Sequence, residues 1–463
     1  MIRGSLEQLL ATIDGAHITR DAYFQGVSTD SRQVVPGSLF VALRGERFDA
    51  HDFLPQLVGQ PLAAVVVERL PEGYPLPVLV VPDTLAALGR IGNFWRRRFA
   101  VPVIGVAGSN GKTTVKEMIA AILAAQFGEA GRLATQGNLN NEIGVPLTVT
   151  RLNAAHKAAV VELGMNHPGE IARLAAIAEP TIALVNNAQR EHQEFMHTVE
   201  AVARENGAVL QALPPGGVAV FPGDDEFTPL WRELAGDRKV LTFGLGDGCD
   251  VRATHTPGAF GSELAVDAAG TRFTVKLAAA GEHNVRNALA AIAAGLATRI
   301  PVDAIVRGLE AFAPVDGRLQ RKEAACGAVV IDDTYNANPD SVRAAIDVLA
   351  QSPSPRILVL GDMGEVGTQG PEFHQEIGAY AASRGIDTVL GTGELARFAI
   401  EALQSAGARA QHHEQFDELL AALDQKLGSK SDATVLVKGS RFMKMERVVQ
   451  HLTASTNTGK EAH

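Results

Sequence analysis

The sequence predicts an α/β protein of about three domains, the middle one built on a mostly parallel sheet. Three observations carry this. The chain has 463 residues, and domains run to roughly 100–200 residues each. Short apolar runs then alternate with helical patterns: "VPVIGVAG", "AAVVELG", "TIALVNN" and "GVAVF" in the middle, "AVVIDD", "RILVLGD", "DTVLGTG" and "ATVLVKGS" toward the end. Alternating βα units imply a parallel sheet covered by helices. Finally, the later runs end in Asp, Gly or Lys, and open α/β sheets bind ligands at the carboxyl ends of their strands.

Taken in order, Leu39–Leu43, Ala63–Val67 and Val78–Val81 are apolar runs divided by Gly- and Pro-bearing turns. They predict a small N-terminal α/β domain, residues 1–98. "DTLAALGRIGNFWRRRFAVP" reads as a helix leading to Pro102. The central domain, 99–313, has helices over Lys112–Gln126 and Glu170–Ala178. "SELAVDA" and "TRFTVKL" alternate with period two, Phe273, Val275 and Leu277 sharing a face, and predict an antiparallel extension before the helix "HNVRNALAAIAAGLA". "FAPVDGRLQ" is a turn-rich joint, so the last domain covers 314–463.

The 42 basic and 52 acidic residues give a formal charge of -10, which argues against generic nucleic-acid or anionic-membrane binding. The longest clearly apolar run, Met118–Ala125, is far too short to span a bilayer, and the N-terminus lacks a signal core. Cys249 and Cys326 are the two cysteines and have no metal spacing; two reduced thiols suit a cytosolic protein. A soluble, cytoplasmic monomer is expected.

"VIGVAGSNGKTTVKEMI" places a Gly-rich turn between a strand and a helix. The loop Gly108-Ser109-Asn110-Gly111-Lys112-Thr113-Thr114 is shorter than the usual phosphate loop, since Val106 stands where its first Gly belongs. Backbone N–H groups at such a junction favour oxyanions, with Lys112 on the β/γ-phosphates and Thr113 on Mg²⁺. Glu162 ends the strand "AAVVELG", where a buried acid is expensive unless it pairs or binds a metal; a Mg²⁺ ligand is favoured over a turn acid. Asn138, Asn140 and Asn141 suit substrate orientation and turn formation equally. His283 and Asn284 open a helix, where Asn284 serves as well for an N-cap as for a ligand contact. Arg318, at the second joint, suits an anion clamp.

"GSNGKTT", "NLNNEIGVPLT", "VELGMN", "GEHNVRNALAA", "PVDGRLQ", "IDDTYNANPDS", "VLGDMGEVG" and "VLVKGSRFMKME" occur in the order found in Mur ligases, the ATP-dependent amide-bond enzymes of peptidoglycan synthesis, and the chain resembles that family over nearly its whole length. "GVSTDSRQVVPGSLFVALRGERFDAHDF" is similar to the family's UDP-substrate domain. "DTYNANPDS" and "GDMGEVG" resemble the members that join D-alanyl-D-alanine to UDP-N-acetylmuramoyl-tripeptide. The resemblance implies a P-loop central domain, a C-terminal Rossmann-like domain, and ATP with Mg²⁺ driving ligation through an acyl phosphate. It implies Ser31 and Arg32 near the uridine, with Arg47, Phe48, Asp49 and His51 beside them, and the three Asn residues along the central cleft. Asn284 would meet adenine and Arg318 a phosphate. Asp333, Tyr335, Asn336 and Asn338 would close onto the nucleotide, and Lys438, Ser440 and Arg441 would face the incoming substrate.

One region departs. Where many relatives carry Ala-His-Leu-Glu and then Ala-Lys-Gly-Glu, whose Lys is carbamylated to bind a second Mg²⁺, this chain reads "NNAQREHQEF" and "ARENGAV". His192 comes one place late with Glu191 in its column, and Asn206 takes the Lys position. Between Lys157 and Lys239 there is no lysine. Lys112, Glu162 and His192 are the expected catalytic groups, and Thr113, Glu162 and His192 the expected metal ligands. Glu191, Glu194 and Glu205 are alternative sources of the missing charge. A ligase for another amino acid is the nearest alternative. A nucleotide-driven switch would need only the phosphate loop, and a catalytically dead binding protein would need that loop broken.

Overall fold

The computed structural model describes residues 1–45, 48–258 and 260–454. Near the N-terminus a five-stranded sheet runs in the order His17–Ile18, Val78–Val80, Ala64–Val67, Leu39–Val41, Val27–Ser28, parallel except at its first edge. Arg3–Ser5 and Tyr23–Gln25 form a separate antiparallel pair. The central strands of the five are wholly apolar and buried, as strands covered on both faces must be.

The helix Thr84–Arg96 follows, its first turn capped by Asp83, which accepts from the Ala86 N–H at 2.9 Å. This helix binds the first segment to the next. Trp95 Nε1 donates to the Leu152 carbonyl at 2.8 Å, and Arg96 donates to the carbonyls of Ala178 and Glu179. A Cβ on Gly92 would lie 2.9 Å from Pro146 Cα, so only glycine allows the helix to come this close. One continuous core holds Ile2, Leu6 and Ile91 together with Val149, Leu174 and Trp231.

The largest sheet has nine strands, in the order Arg132–Ala134, Ala158–Glu162, Val103–Ala107, Ile182–Val185, Val218–Pro222, Lys239–Gly244, Val251–Pro257, Ser262–Ala268, Thr271–Leu277. Pairing is parallel up to Val251–Pro257 and antiparallel beyond it. The expected antiparallel extension is the hairpin closed by Ala269 and Gly270, both at positive φ, which suits the twist of a two-residue turn. The sequence reading missed Arg132–Ala134, Lys239–Gly244 and Val251–Pro257. Arg132–Ala134 is a three-residue edge, and the exposed polar positions of the other two blur the apolar signal.

The last sheet runs Gln320–Glu323, Val329–Asp333, Thr434–Lys438, Arg356–Leu360, Thr388–Thr392, Ala410–His413, parallel except for its first pair. Separate cores fill its two faces. Its edges, "QRKE" and "AQHH", are polar and gave no apolar run to read. Among the described residues no helix is long and apolar enough to cross a membrane.

Candidate active site

The strand Val103–Ala107 feeds the helix Lys112–Phe127 through the Gly-rich loop. Gly108 and Gly111 have φ of +139° and +79°. A Cβ on Gly111 would stand 2.5 Å from Asn287 Oδ1, so backbone conformation and space both require glycine there. The loop's N–H groups and the start of a long helix thus converge on one point, as oxyanion binding requires.

Lys112 Nζ donates to the carbonyls of Gly108 at 2.5 Å and Ser109 at 2.9 Å and to Glu191 Oε1 at 2.8 Å. An ammonium has three protons, so Lys112 is fully engaged inside the loop. Burial pushes the Glu191 carboxyl up, but Lys112 and His192 more than reverse this and hold it below its usual range. Burial likewise opposes charge on His192, yet Glu191 and Glu365 raise its pKa to about 9.

Glu162, 2 % exposed, closes the other wall. Its Oε1 accepts from Thr113 Oγ1 at 3.1 Å and Asn140 Nδ2 at 2.8 Å, while the buried Oε2 has no partner. Thr113 Oγ1 accepts from Arg318 Nη2 at 2.9 Å, and the Arg318 guanidinium lies 4.2 Å from the Tyr335 ring centre. From the last sheet, Asp333 accepts from Lys438 Nζ at 2.5 Å and from the Leu319 N–H. Asn338 caps the helix Pro339–Ala350 and exchanges amide hydrogen bonds with Asn110. These groups surround a cavity of about 810 Å³ that takes in the loop from Ser109 to Thr114, Asn138, Asn140, Asn141, Asn284, Asn336 and Lys438.

Several expectations change. His192 turns one ring nitrogen toward Glu365 at 2.5 Å and the other toward Glu191 at 3.5 Å. Both ring nitrogens are turned toward carboxylates, and Thr113 and Glu162 stand as the adjacent oxygen donors of the cavity. Asn284 is not the N-cap of its helix; Gly281 is. Its side chain donates to the Ala280 carbonyl and accepts from Asn287. Asn141 accepts from the N–H groups of Ile143 and Gly144, a turn role. Asn336 accepts from the Ala337 N–H. Ser440 is buried, donating to the Ala337 carbonyl and accepting from the Gly364 N–H, so it ties loops together and does not line the cavity. Arg441 is exposed, pairs with Glu446 and lies outside the cavity.

In the N-terminal segment, Asp49 pairs with Arg44 and the His51 ring, and His51 Nε2 accepts from the Glu68 N–H. Both side chains are taken up in holding their own turn, and Phe48 is left 72 % exposed. Arg32 pairs with Asp30 on the surface, and neither it nor Ser31 lines the cavity. Arg47 lies outside the described residues. Asn206 is fully buried and its Oδ1 accepts from the Gly108 N–H at 3.1 Å, so it supports the loop from beneath. Glu205 holds the N–H groups of Gly169 and Ile171. Of the three candidate acids only Glu191 lines the cavity.

Sequence reasoning missed Asn187, Gln189, Asn287 and Asp340, all in the cavity wall, and Arg190, which pairs with Asp340 just behind it. Asn187 was within reach, because it lies at the polar end of "TIALVNN". Asn287 stands three residues after Asn284, on the same helix face.

The same three-part arrangement is found in known proteins. Residues 23–95 match the description "Mur ligase family, catalytic domain", 106–295 "Mur ligase middle domain", and 317–441 "Mur ligase, glutamate ligase domain". The chain is 39% identical over 462 residues to the UDP-N-acetylmuramoyl-tripeptide--D-alanyl-D-alanine ligase of Escherichia coli K12, covering 98% of this chain and 99% of that one. It is 34% identical to the Bacillus subtilis enzyme of the same name, over 98% of each. A crystal structure of MurF from Acinetobacter baumannii superposes with a TM-score of 0.90 at 35% identity, over 98% of this chain and 99% of that one. MurF from Thermotoga maritima in complex with ADP superposes at 0.82 with 26% identity, over 93% and 97%. With the phosphate loop, the strand-end carboxylate and all three segments in place, this chain belongs to the Mur ligase family.

Proposed function

We propose that this chain joins D-alanyl-D-alanine to UDP-N-acetylmuramoyl-tripeptide at the expense of ATP, giving the pentapeptide precursor of peptidoglycan. The end-to-end similarity to ligases of that name carries the reading. The site supplies what the chemistry needs: cations against a transferring phosphoryl group, and walls that align two substrates.

Mg²⁺ fits the site. Glu162 offers an unpartnered buried carboxylate oxygen beside the Thr113 hydroxyl, both hard oxygen donors. Among the described residues no group of three or more His, Cys, Asp or Glu is placed to hold a metal, so phosphate oxygens and water would complete the shell. When bound, the ion supplies positive charge to the phosphoryl oxygens. Lys112 would exchange the Gly108 and Ser109 carbonyls for the β/γ-phosphates, with Arg318 beside them. The phosphoryl group passes to the terminal carboxylate of the tripeptide. The amine of D-alanyl-D-alanine then attacks the acyl carbon, and phosphate leaves from the tetrahedral intermediate as the amide forms. Asn138 and Asn140 would orient the peptide end, and Asp333, Tyr335 and Asn338 would close over the nucleotide.

The functional divisions are placed near residues 98 and 314, and the chain acts in the cytoplasm as a monomer. Incubation with ATP, Mg²⁺, UDP-muramoyl tripeptide and D-alanyl-D-alanine should yield a product heavier than the tripeptide by the dipeptide less water. ATP turnover of equal rate without either substrate would instead favour a nucleotide-driven switch.

A further inference from the structure

The departing segment "NNAQREHQEF" forms a connector with two sets of partners. On one side it grips the phosphate loop. Asn187 Oδ1 accepts from the Asn110 N–H at 2.9 Å, Gln189 Oε1 from Asn110 Nδ2 at 2.6 Å, and Glu191 from Lys112. On the other side it grips the C-terminal segment, through Arg190 and His192. The Arg190 N–H donates to Asp340 Oδ2 at 2.8 Å, and its Nη2 to Asp340 Oδ1 at 2.6 Å. Its Nη1 donates to Glu376 Oε2 at 2.6 Å. Arg343 shares Glu376 at 2.9 Å, and the Arg190 guanidinium lies 5.3 Å from the Phe373 ring centre.

We infer that Arg190 is a positioning residue for ligation: its fork locks the C-terminal segment onto the connector that holds Asn110 and Lys112, so that docking and phosphate-loop geometry are set together. Three features carry this. The residues from 187 to 192 alternate between the two partners, apart from Ala188, so a shift on one side is passed to the other. A guanidinium satisfies two carboxylates at once in a fixed plane, which an ammonium does not. Both carboxylates are partly buried, at 23% and 33% side-chain exposure, so the pairs are less screened than surface pairs. Arg190 donates no hydrogen bond to the phosphate loop itself, so its influence runs through its neighbours. The inference rests on the ligase reading for its kinetic consequence and on geometry alone for its structural one.

The test compares wild type with Arg190→Ala, Arg190→Lys, Glu376→Gln and the Arg190→Ala/Glu376→Gln double variant. It measures ligation kinetics, ADP affinity, melting temperature and solution scattering. Arg190→Ala should lower kcat by about ten-fold or more, within the usual range of coupling between sites. It should also increase the radius of gyration and weaken ADP binding, because Asp333, Tyr335 and Asn338 line the cavity from the segment it releases. Arg190→Lys should fail to restore kcat, and Glu376→Gln should add little to the loss already caused by Arg190→Ala. Wild-type kcat and scattering in Arg190→Ala, full rescue by lysine, or fully additive losses in the double variant would each overturn the inference. If wild type makes no ligation product yet Arg190→Ala still expands the protein, the ligase reading fails and the lock stands.

Discussion

The carboxyl ends of the two parallel sheets face the same cavity, and they are finished differently. At the central sheet, buried acceptors are left unpaired: Glu162 Oε2, Glu191 Oε2 and Asn186 Oδ1. At the C-terminal sheet, the strand-end carboxylates are matched within the protein, and the unpartnered His413 Nε2 on the edge strand lies outside the cavity. Asp332 takes Lys322 and Thr334, Asp333 takes Lys438 and the Leu319 N–H, and Asp362 takes the N–H groups of Leu395 and Ala396. An unsatisfied buried oxygen costs about 1–3 kcal/mol, so a fold keeps one where a ligand will meet it. The contrast supports the proposal that phosphoryl chemistry belongs to the central sheet and positioning to the C-terminal one.

The hardest test of that contrast is Lys112→Ala. It removes the cation proposed to meet the phosphates from a loop whose shape depends on glycines, and ligation should fall by about 10²-fold or more with the fold intact. Product mass spectrometry and circular dichroism would check it. Near-normal ligation by a folded variant would place the chemistry elsewhere.

On the positioning side, Asp333→Ala strands the Lys438 ammonium, whose side chain is only 3% exposed. Breaking a buried pair costs about 3–5 kcal/mol. Denaturant unfolding should show the loss, and ATP use should fall although Asp333 lies outside the phosphate-loop segment. A variant of unchanged stability would mean that the C-terminal network is looser than its geometry.

Glu162 and Asn206 sharpen the comparison within the central sheet. Glu162→Gln should change the Mg²⁺ dependence of turnover, raising the Mg²⁺ concentration required, because it removes charge at the cavity. Asn206→Ala should leave that dependence unchanged and instead lower stability by about 1–3 kcal/mol, because it orphans the Gly108 N–H. With no lysine between Lys157 and Lys239 to carbamylate, turnover in buffer stripped of carbon dioxide should match turnover with bicarbonate. Restoration of lost activity by bicarbonate would show a modified group that this reading lacks.

The smallest effect concerns His192, whose pKa rises from 6.5 to about 9. A raised folded-state pKa means that its contribution is fully present below pH 6.5 and is lost as pH climbs through about 9. Glu365 is 47% exposed, so the His192–Glu365 contact should contribute modestly, as a slight expansion in solution scattering above pH 9. The expansion should be absent in His192→Gln. Identical pH profiles for the two proteins would remove His192 from the interdomain contact.

The amino-acid sequence alone determined the strands that are apolar throughout, the helices between them, the glycine loop with Lys112 and Thr113, and the strand-end Glu162. Each depends on neighbours a few residues away, where backbone periodicity and turn chemistry act. Polar edge strands such as "QRKE" were illegible because their stability comes from the strand beside them. The partners of polar side chains were decided only by the tertiary structure. Arg190 meets Asp340 from 150 residues away, and Arg318 reaches Thr113 from 205. Ser440 and His192 looked like ligands in the sequence, yet the fold employs them on the Gly364 N–H and on Glu365. A polar residue at a strand end signals that it needs a partner. Whether a ligand or the returning chain supplies that partner depends on long-range packing, which local spacing does not encode.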